Sequence, residues 1–182
     1  MRCACACARP SSPADHRPLL TPTSLPPAAL LLHALERLLQ PGRQLARQGD
    51  SGARVEAEPA AGRVFAYAPG QYAFLAFHDV SSLEWHPFTL SAAPSDARAS
   101  NRIAFDVKAM VVPGGKPTFT EKLRTLASRV ADGAIDAKSL RIAVDGPHGA
   151  AFDERAHDDI LLVAGGIGVT PCHAIFRELY RR

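Results

Sequence analysis

Residues Glu84–Pro94 read EWHPFTLSAAP, and they follow almost directly on the apolar run GQYAFLAF at residues 70–77. A tryptophan, a histidine, a phenylalanine and two hydroxyls crowd around Pro87, which is an odd content for an ordinary strand. In extended chain, alternate side chains share a face, so His86 and Phe88 stand on one side and Pro87 on the other. An aromatic ring at Phe88 can lie against a flat ring system, and the Thr89 hydroxyl can hydrogen-bond a ring nitrogen. The competing reading is a core strand in which Trp85 and Phe88 bury area and His86 finds a carbonyl.

Around this stretch the chain shows period-two patterning and turn punctuation. The expected strands are Ala53–Glu58, Val64–Tyr67, Tyr72–Phe77, Phe88–Ala92, Ile103–Val111 and Leu140–Val144, with turns at Pro69-Gly70, Pro94-Ser95-Asp96 and Pro113-Gly114-Gly115. FDVKAMV alternates clearly, placing Phe105, Val107 and Ala109 on one face and Asp106 and Lys108 on the other. Short strands at this spacing predict a small antiparallel barrel or sandwich.

One helix interrupts them. Thr118-Phe119-Thr120-Glu121 fits a capping box, Leu123, Leu126 and Val130 form an apolar stripe, and Asp132-Gly133 stops it. The first turn could hold a diphosphate on its amides and the Thr120 hydroxyl, with Lys108 adding charge. The alternative is a helix that only caps a barrel end.

After DGPHG at residues 145–149 the pattern changes. Ile160–Ala164 reads as a buried strand, the turn Gly165-Gly166-Ile167-Gly168 follows, and a helix begins with Thr170 as N-cap and Pro171 at its first position. This is the opening of a parallel α/β unit. A parallel strand needs neighbours on both edges, and the 182-residue chain ends before supplying them. The glycines let a backbone come close to a phosphate, but the turn is not the dinucleotide fingerprint.

Composition sets limits. A hydrophobic share of 47% supports a packed core, and a net charge of +3 is too mild for a nucleic-acid partner. Cys3, Cys5 and Cys7 lack zinc-ligand spacing, and Cys172 reads as a core residue, so no metal site is expected. The longest apolar candidate for a membrane span, LPPAALLL at residues 25–32, is too short and begins with a double proline. Residues 1–28 read as a disordered leader and 29–42 as a short helix ended by Pro41-Gly42. Arg and Ser with a single Asp in residues 1–35 leave an organelle leader open.

Five pieces in order, PGQYAFLAF, LEWHPFTLSAAP, FDVKAM…TFTEKL, VDGPHG and LLVAGGIGVTP, resemble the flavin-binding half of the NADPH oxidase and ferric reductase family, within the ferredoxin–NADP reductase superfamily. The resemblance covers residues 29–182, and LLHALERLL looks like the family's exit from its last membrane helix. It implies a mainly β fold: a small antiparallel Greek-key barrel with one capping helix over residues 43–150, then the first β-α unit of a nucleotide-binding domain over 151–182.

It also implies FAD and NADPH as cofactors. Within His86-Pro87-Phe88-Thr89, His86 would meet the FAD diphosphate or ribityl side, Phe88 would pack on the isoalloxazine and Thr89 would bond its reactive edge. Lys108 stands where the family places an arginine, and Thr120 would complete the diphosphate cradle. Gly165, Gly166, Gly168, Thr170 and Pro171 match the turn that receives nicotinamide. No catalytic side chain is implied. The implied function passes electrons from NADPH through FAD to a haem, oxygen or ferric iron. The haem lies in a membrane domain absent from this chain, on whose cytosolic face the module would sit. Alternatives are a soluble ferredoxin–NADP reductase-like enzyme and a non-catalytic flavin-binding fragment. Two departures stand out: the insertion VVPGGKP separates Lys108 from Thr120, and no first barrel strand is evident in PGRQLARQGDSG.

Overall fold

The computed structural model describes residues 44–48, 51–59, 64–153 and 156–181. The expected leader (1–28), the helix at 29–42 and the Cys3-Cys5-Cys7 cluster lie outside them.

Alternation builds the strands. β1 (Gln44–Gln48), β2 (Gly52–Ala57) and β5 (Ile103–Lys108) form one antiparallel sheet in the order β1-β2-β5; β4 (His86–Thr89), β3 (Tyr72–Phe77) and β6 (Ile142–His148) form another in the order β4-β3-β6. On β5, Phe105 and Val107 point inward, Asp106 is half-buried and Lys108 is exposed, as its period-two pattern predicts. The antiparallel bridge Leu90–Phe105, with Ser91 N–H donating to the Ala104 carbonyl at 2.8 Å, stitches β4 to β5. The two three-stranded sheets thus abut as one ribbon, β5 beside β4, joined by that single bridge rather than by a ladder.

The expected barrel is present as this ribbon but is not closed, because no ladder joins β1 to β6 among the described residues. α2 (Phe119–Ala131) fills the mouth instead. Its buried stripe of Phe119, Leu123, Leu126 and Ala127 enters the same cluster as Val55, Phe77, Phe105 and Ile142. Each fully buried large side chain contributes roughly 1.5–3 kcal/mol. The capping box forms: Glu121 N–H donates to Thr118 Oγ1 at 3.2 Å and Thr118 N–H to Glu121 Oε2 at 2.9 Å. Gly133 stops the helix in the left-handed region at φ 74°.

Several expectations are corrected. Val64–Tyr67 is not a strand; Tyr67 satisfies its hydroxyl on the Ala92 carbonyl at 2.8 Å from irregular chain. β4 starts at His86, β5 ends at Lys108 and β6 runs from Ile142 to His148. Pro94-Ser95-Asp96 opens α1 (Pro94–Ser100) rather than a turn, since a proline at N1 and an acid in the first turn also start helices.

Ile160–Ala164 forms no strand: Leu161 and Val163 are 88% and 81% exposed, and no described segment pairs with them. The short 3-10 turn Gly166–Gly168 runs directly into α3 (Val169–Tyr180). The N-cap is therefore Gly168, Val169 is the first helical residue, and Thr170 and Pro171 lie two positions further in than expected.

α3 docks on α1. The buried carboxylate of Glu178 accepts from Ser95 N–H at 2.9 Å, and Arg98 lies 3.6 Å from it. Asp96 pairs with Arg177 at 3.0 Å and with Arg181. These contacts tie the glycine turn to the barrel.

Candidate functional site

β4 places His86 and Phe88 on one side, and the first residue of α2 meets both. The ring of Phe119 stacks on the His86 imidazole with centroids 4.0 Å apart and planes at 26°. It lies nearly parallel to Phe88 at 6.5 Å and edge-on to Phe77 at 6.4 Å. His86 is half-buried, and its Nε2 reaches Glu84 at 3.4 Å. Pro87 and Thr89 sit in the β4–β3 ladder opposite Phe74 and Tyr72. There Tyr72, Phe74 and His148 form a ring cluster with centroids 5.4–5.7 Å apart. Trp85 is exposed, contrary to the core-strand reading.

The insertion does not separate Lys108 from the helix. Met110 N–H donates to Thr120 Oγ1 at 2.9 Å, and Thr118 Oγ1 donates to the Met110 carbonyl at 2.6 Å. Residues 111–117 therefore leave the strand end and return to it. Antiparallel running from the Leu90–Phe105 bridge brings the His86 end of β4 toward the Lys108 end of β5. The Thr120 hydroxyl is thus engaged with Met110, whereas the amides of Phe119 and Thr120, as the first two of the helix, have no intrahelical acceptor.

Lys108 faces away from the core into a cleft of about 520 Å³, whose wall also includes Arg54, Gly166, Ile167, Thr170 and His173. Arg54 is committed to Asp106 and Glu56, both at 2.9 Å. Burial works against its charge, but the Glu56 hydrogen bond and both carboxylates outweigh this and raise its pKa. Lys108 has no ion-pair partner among the described residues. Opposite it, Gly165 and Gly166 are bare, with nothing within 4 Å of where a Cβ would stand, and Gly166 takes φ 56°. Thr170 is buried at the cleft wall, and its hydroxyl donates to the Ile167 carbonyl at 2.9 Å, so that hydroxyl is spent on fixing the turn. Pro171 is half-buried in the first turn of α3, and Gly168 caps that helix.

An uncommitted cation, bare glycine backbone, a half-buried aromatic pair and open helix amides suit an elongated ligand with a flat ring and an anionic linker. FAD fits this donor set. One carboxylate opposes it: Glu121, spent on the capping box, stands at the same helix start. Sequence reasoning missed Phe119, His148 and His173. Phe119 lay inside the quoted TFTEKL piece, but an aromatic at a helix start reads as core.

A sequence model described as the FAD-binding domain matches residues 55–152, more than half of the chain. The chain belongs to that family, in its NADPH oxidase and ferric reductase branch.

It is 35% identical over 122 residues to respiratory burst oxidase homolog protein B of Solanum tuberosum, covering 63% of this chain and 14% of the relative. It is 35% identical over 114 residues to ferric reduction oxidase 5 of Arabidopsis thaliana, covering 62% and 14%. It is 36% identical over 120 residues to NADPH oxidase 3 of Homo sapiens, covering 65% and 19%. The matched regions thus span less than a fifth of these relatives. A solved structure, the cytochrome P450 reductase GcoB of Amycolatopsis, shares the fold with a TM-score of 0.52 at 23% identity, covering 79% of this chain and 40% of that one. Among the described residues no helix is long and apolar enough to cross a membrane.

Proposed function

We propose that this chain is the flavin-binding reductase module of an NADPH oxidase- or ferric reductase-like oxidoreductase, in which electrons from NADPH reach a haem, oxygen or ferric iron by way of FAD. Residues 43–150 are the FAD-binding unit and 151–182 begin the NADPH-binding unit. In the whole protein the module works at the cytosolic face of a membrane haem domain. When bound, FAD takes an electron pair as hydride and releases electrons singly.

The chain's own residues do the holding. Phe88 supplies a face for the ring, Thr89 a hydroxyl for its polar edge, and His86 a polar ring for the linker. Lys108 and the first amides of α2 offset the linker's charge. Thr120 acts through Met110, keeping the strand end and helix start together. Gly165 and Gly166 admit nicotinamide close to the backbone, while Gly168, Thr170 and Pro171 shape that turn.

The observation that carries this reading is the cleft in which Lys108 faces Gly166, one strand end away from the His86–Phe119 stack. The test is to purify the 182-residue chain with FAD and record its visible absorbance. A retained flavin spectrum is the expected result, and failure to retain flavin under any folding condition removes the proposal.

The exposed, unpaired Ile160–Ala164 segment favours one second reading, that this chain holds flavin without turnover. NADPH-dependent dye reduction by the same preparation would exclude it.

A further inference from the structure

We infer that Phe119 is a positioning residue for the linker end of the bound flavin, a deepening that rests on the function proposed above. Phe119 is 6% exposed and touches rings from two different strands: His86 and Phe88 of β4, and Phe77 of β3. Its neighbours on either side, Thr118 and Thr120, both hydrogen-bond Met110. The residue is therefore anchored by backbone on one side and by stacking on the other.

His86 has little else to orient it. Its Glu84 contact is long and exposed, at 3.4 Å, so the face-to-face stack at 4.0 Å is the strongest constraint on its ring. The Phe119 amide is also the first of α2 and has no intrahelical acceptor. One residue thus aims the imidazole and presents a donor from the helix start. Removing its ring frees His86 to rotate and loosens β4 from α2, while Thr89 and the β3–β4 ladder, which are in register without it, stay in place.

A purely structural Phe119 would be replaceable by any apolar side chain that fills the space. A positioning Phe119 would not, and its effect would fall on ligands that carry the linker. The experiment titrates the 182-residue chain and its Phe119→Leu, Phe119→Met and Phe119→Tyr variants with FAD and, separately, with riboflavin, by flavin fluorescence. Thermal unfolding without ligand is measured beside it.

The expected result is a loss of FAD affinity of about 3- to 10-fold for Phe119→Leu, recovery in Phe119→Tyr, and less than a twofold change for riboflavin. Phe119→Met keeps the volume with a flexible chain and is read in place of Phe119→Leu if the latter does not fold. Unchanged FAD affinity in the aliphatic variants, or equal losses for FAD and riboflavin, overturns the inference. A parent chain that binds neither flavin overturns the functional proposal itself, a result distinct from either of these.

Discussion

The backbone N–H of Met110 donates to Thr120 Oγ1 at 2.9 Å, across the seven residues inserted between the end of β5 and the start of α2. Thr118 returns a bond to the same residue, so Met110 is held from both sides. Thr120→Val keeps the side-chain shape and removes the acceptor; it should cost about 1 kcal/mol. Thr118→Ala also loses the helix cap and should cost about 1–2 kcal/mol. Because both act on Met110, the double variant should deviate from additivity, which urea denaturation of the four proteins will measure.

Lys108 supplies charge without a fork. Lys108→Arg should tighten FAD several-fold, since a planar guanidinium grips two phosphate oxygens, and Lys108→Ala should weaken it on the order of 10-fold. Titrations at two salt concentrations check the cause: the Lys108→Ala variant should show the shallower salt dependence.

Glu178 holds α3 on α1. Glu178→Ala leaves Ser95 N–H without its acceptor in a buried setting and should cost about 2 kcal/mol. Asp96→Ala breaks two more exposed arginine pairs and should cost about 1 kcal/mol or less, shrinking further in high salt. Thermal unfolding in low and high salt separates the two.

Tyr67 carries an alkaline dependence. Burial, and then the nearby Glu178 and Asp96, push its phenol well above the ordinary value of 10.0. The folded state therefore keeps the proton where the unfolded chain has released it. The stability this provides is complete below pH 10 and falls as pH rises beyond the unfolded value. Tyr67→Phe should cost about 1 kcal/mol at neutral pH, through the lost bond to Ala92, and should flatten the decline above pH 10. Denaturant midpoints at pH 8 and pH 10.5 for both proteins will show it.

Strand β5 was legible because Phe105, Val107 and Ala109 alternate with charged neighbours and all three are buried. α2 was legible because its cap, stripe and stop occur together. β1 was not: QLARQ offers one large apolar residue, Leu45, and its pairing with β2 comes from backbone hydrogen bonds that carry no side-chain signature. Val64–Tyr67 misled because a tyrosine can satisfy its hydroxyl in irregular chain as well as in a sheet.

For the site, the types of residue and the approach of Lys108 to the Thr120 helix start were readable; the other meetings were not. That Lys108 would face Gly166, or that His86 would stack on Phe119, depends on the β4–β5 stitch and on the docking of α3. Both are long-range pairings that no local window contains.

The unpaired run from Ile160 to Ala164 has a colloidal consequence. With Leu161 and Val163 turned to water, and Phe176 and Tyr180 also 56% and 82% exposed, attraction between molecules in solution should rise with concentration. Light scattering should therefore give a negative second virial coefficient, and ammonium sulfate should salt this chain out early. Replacing Leu161 and Val163 with serine should move both quantities toward those of a well-behaved solute.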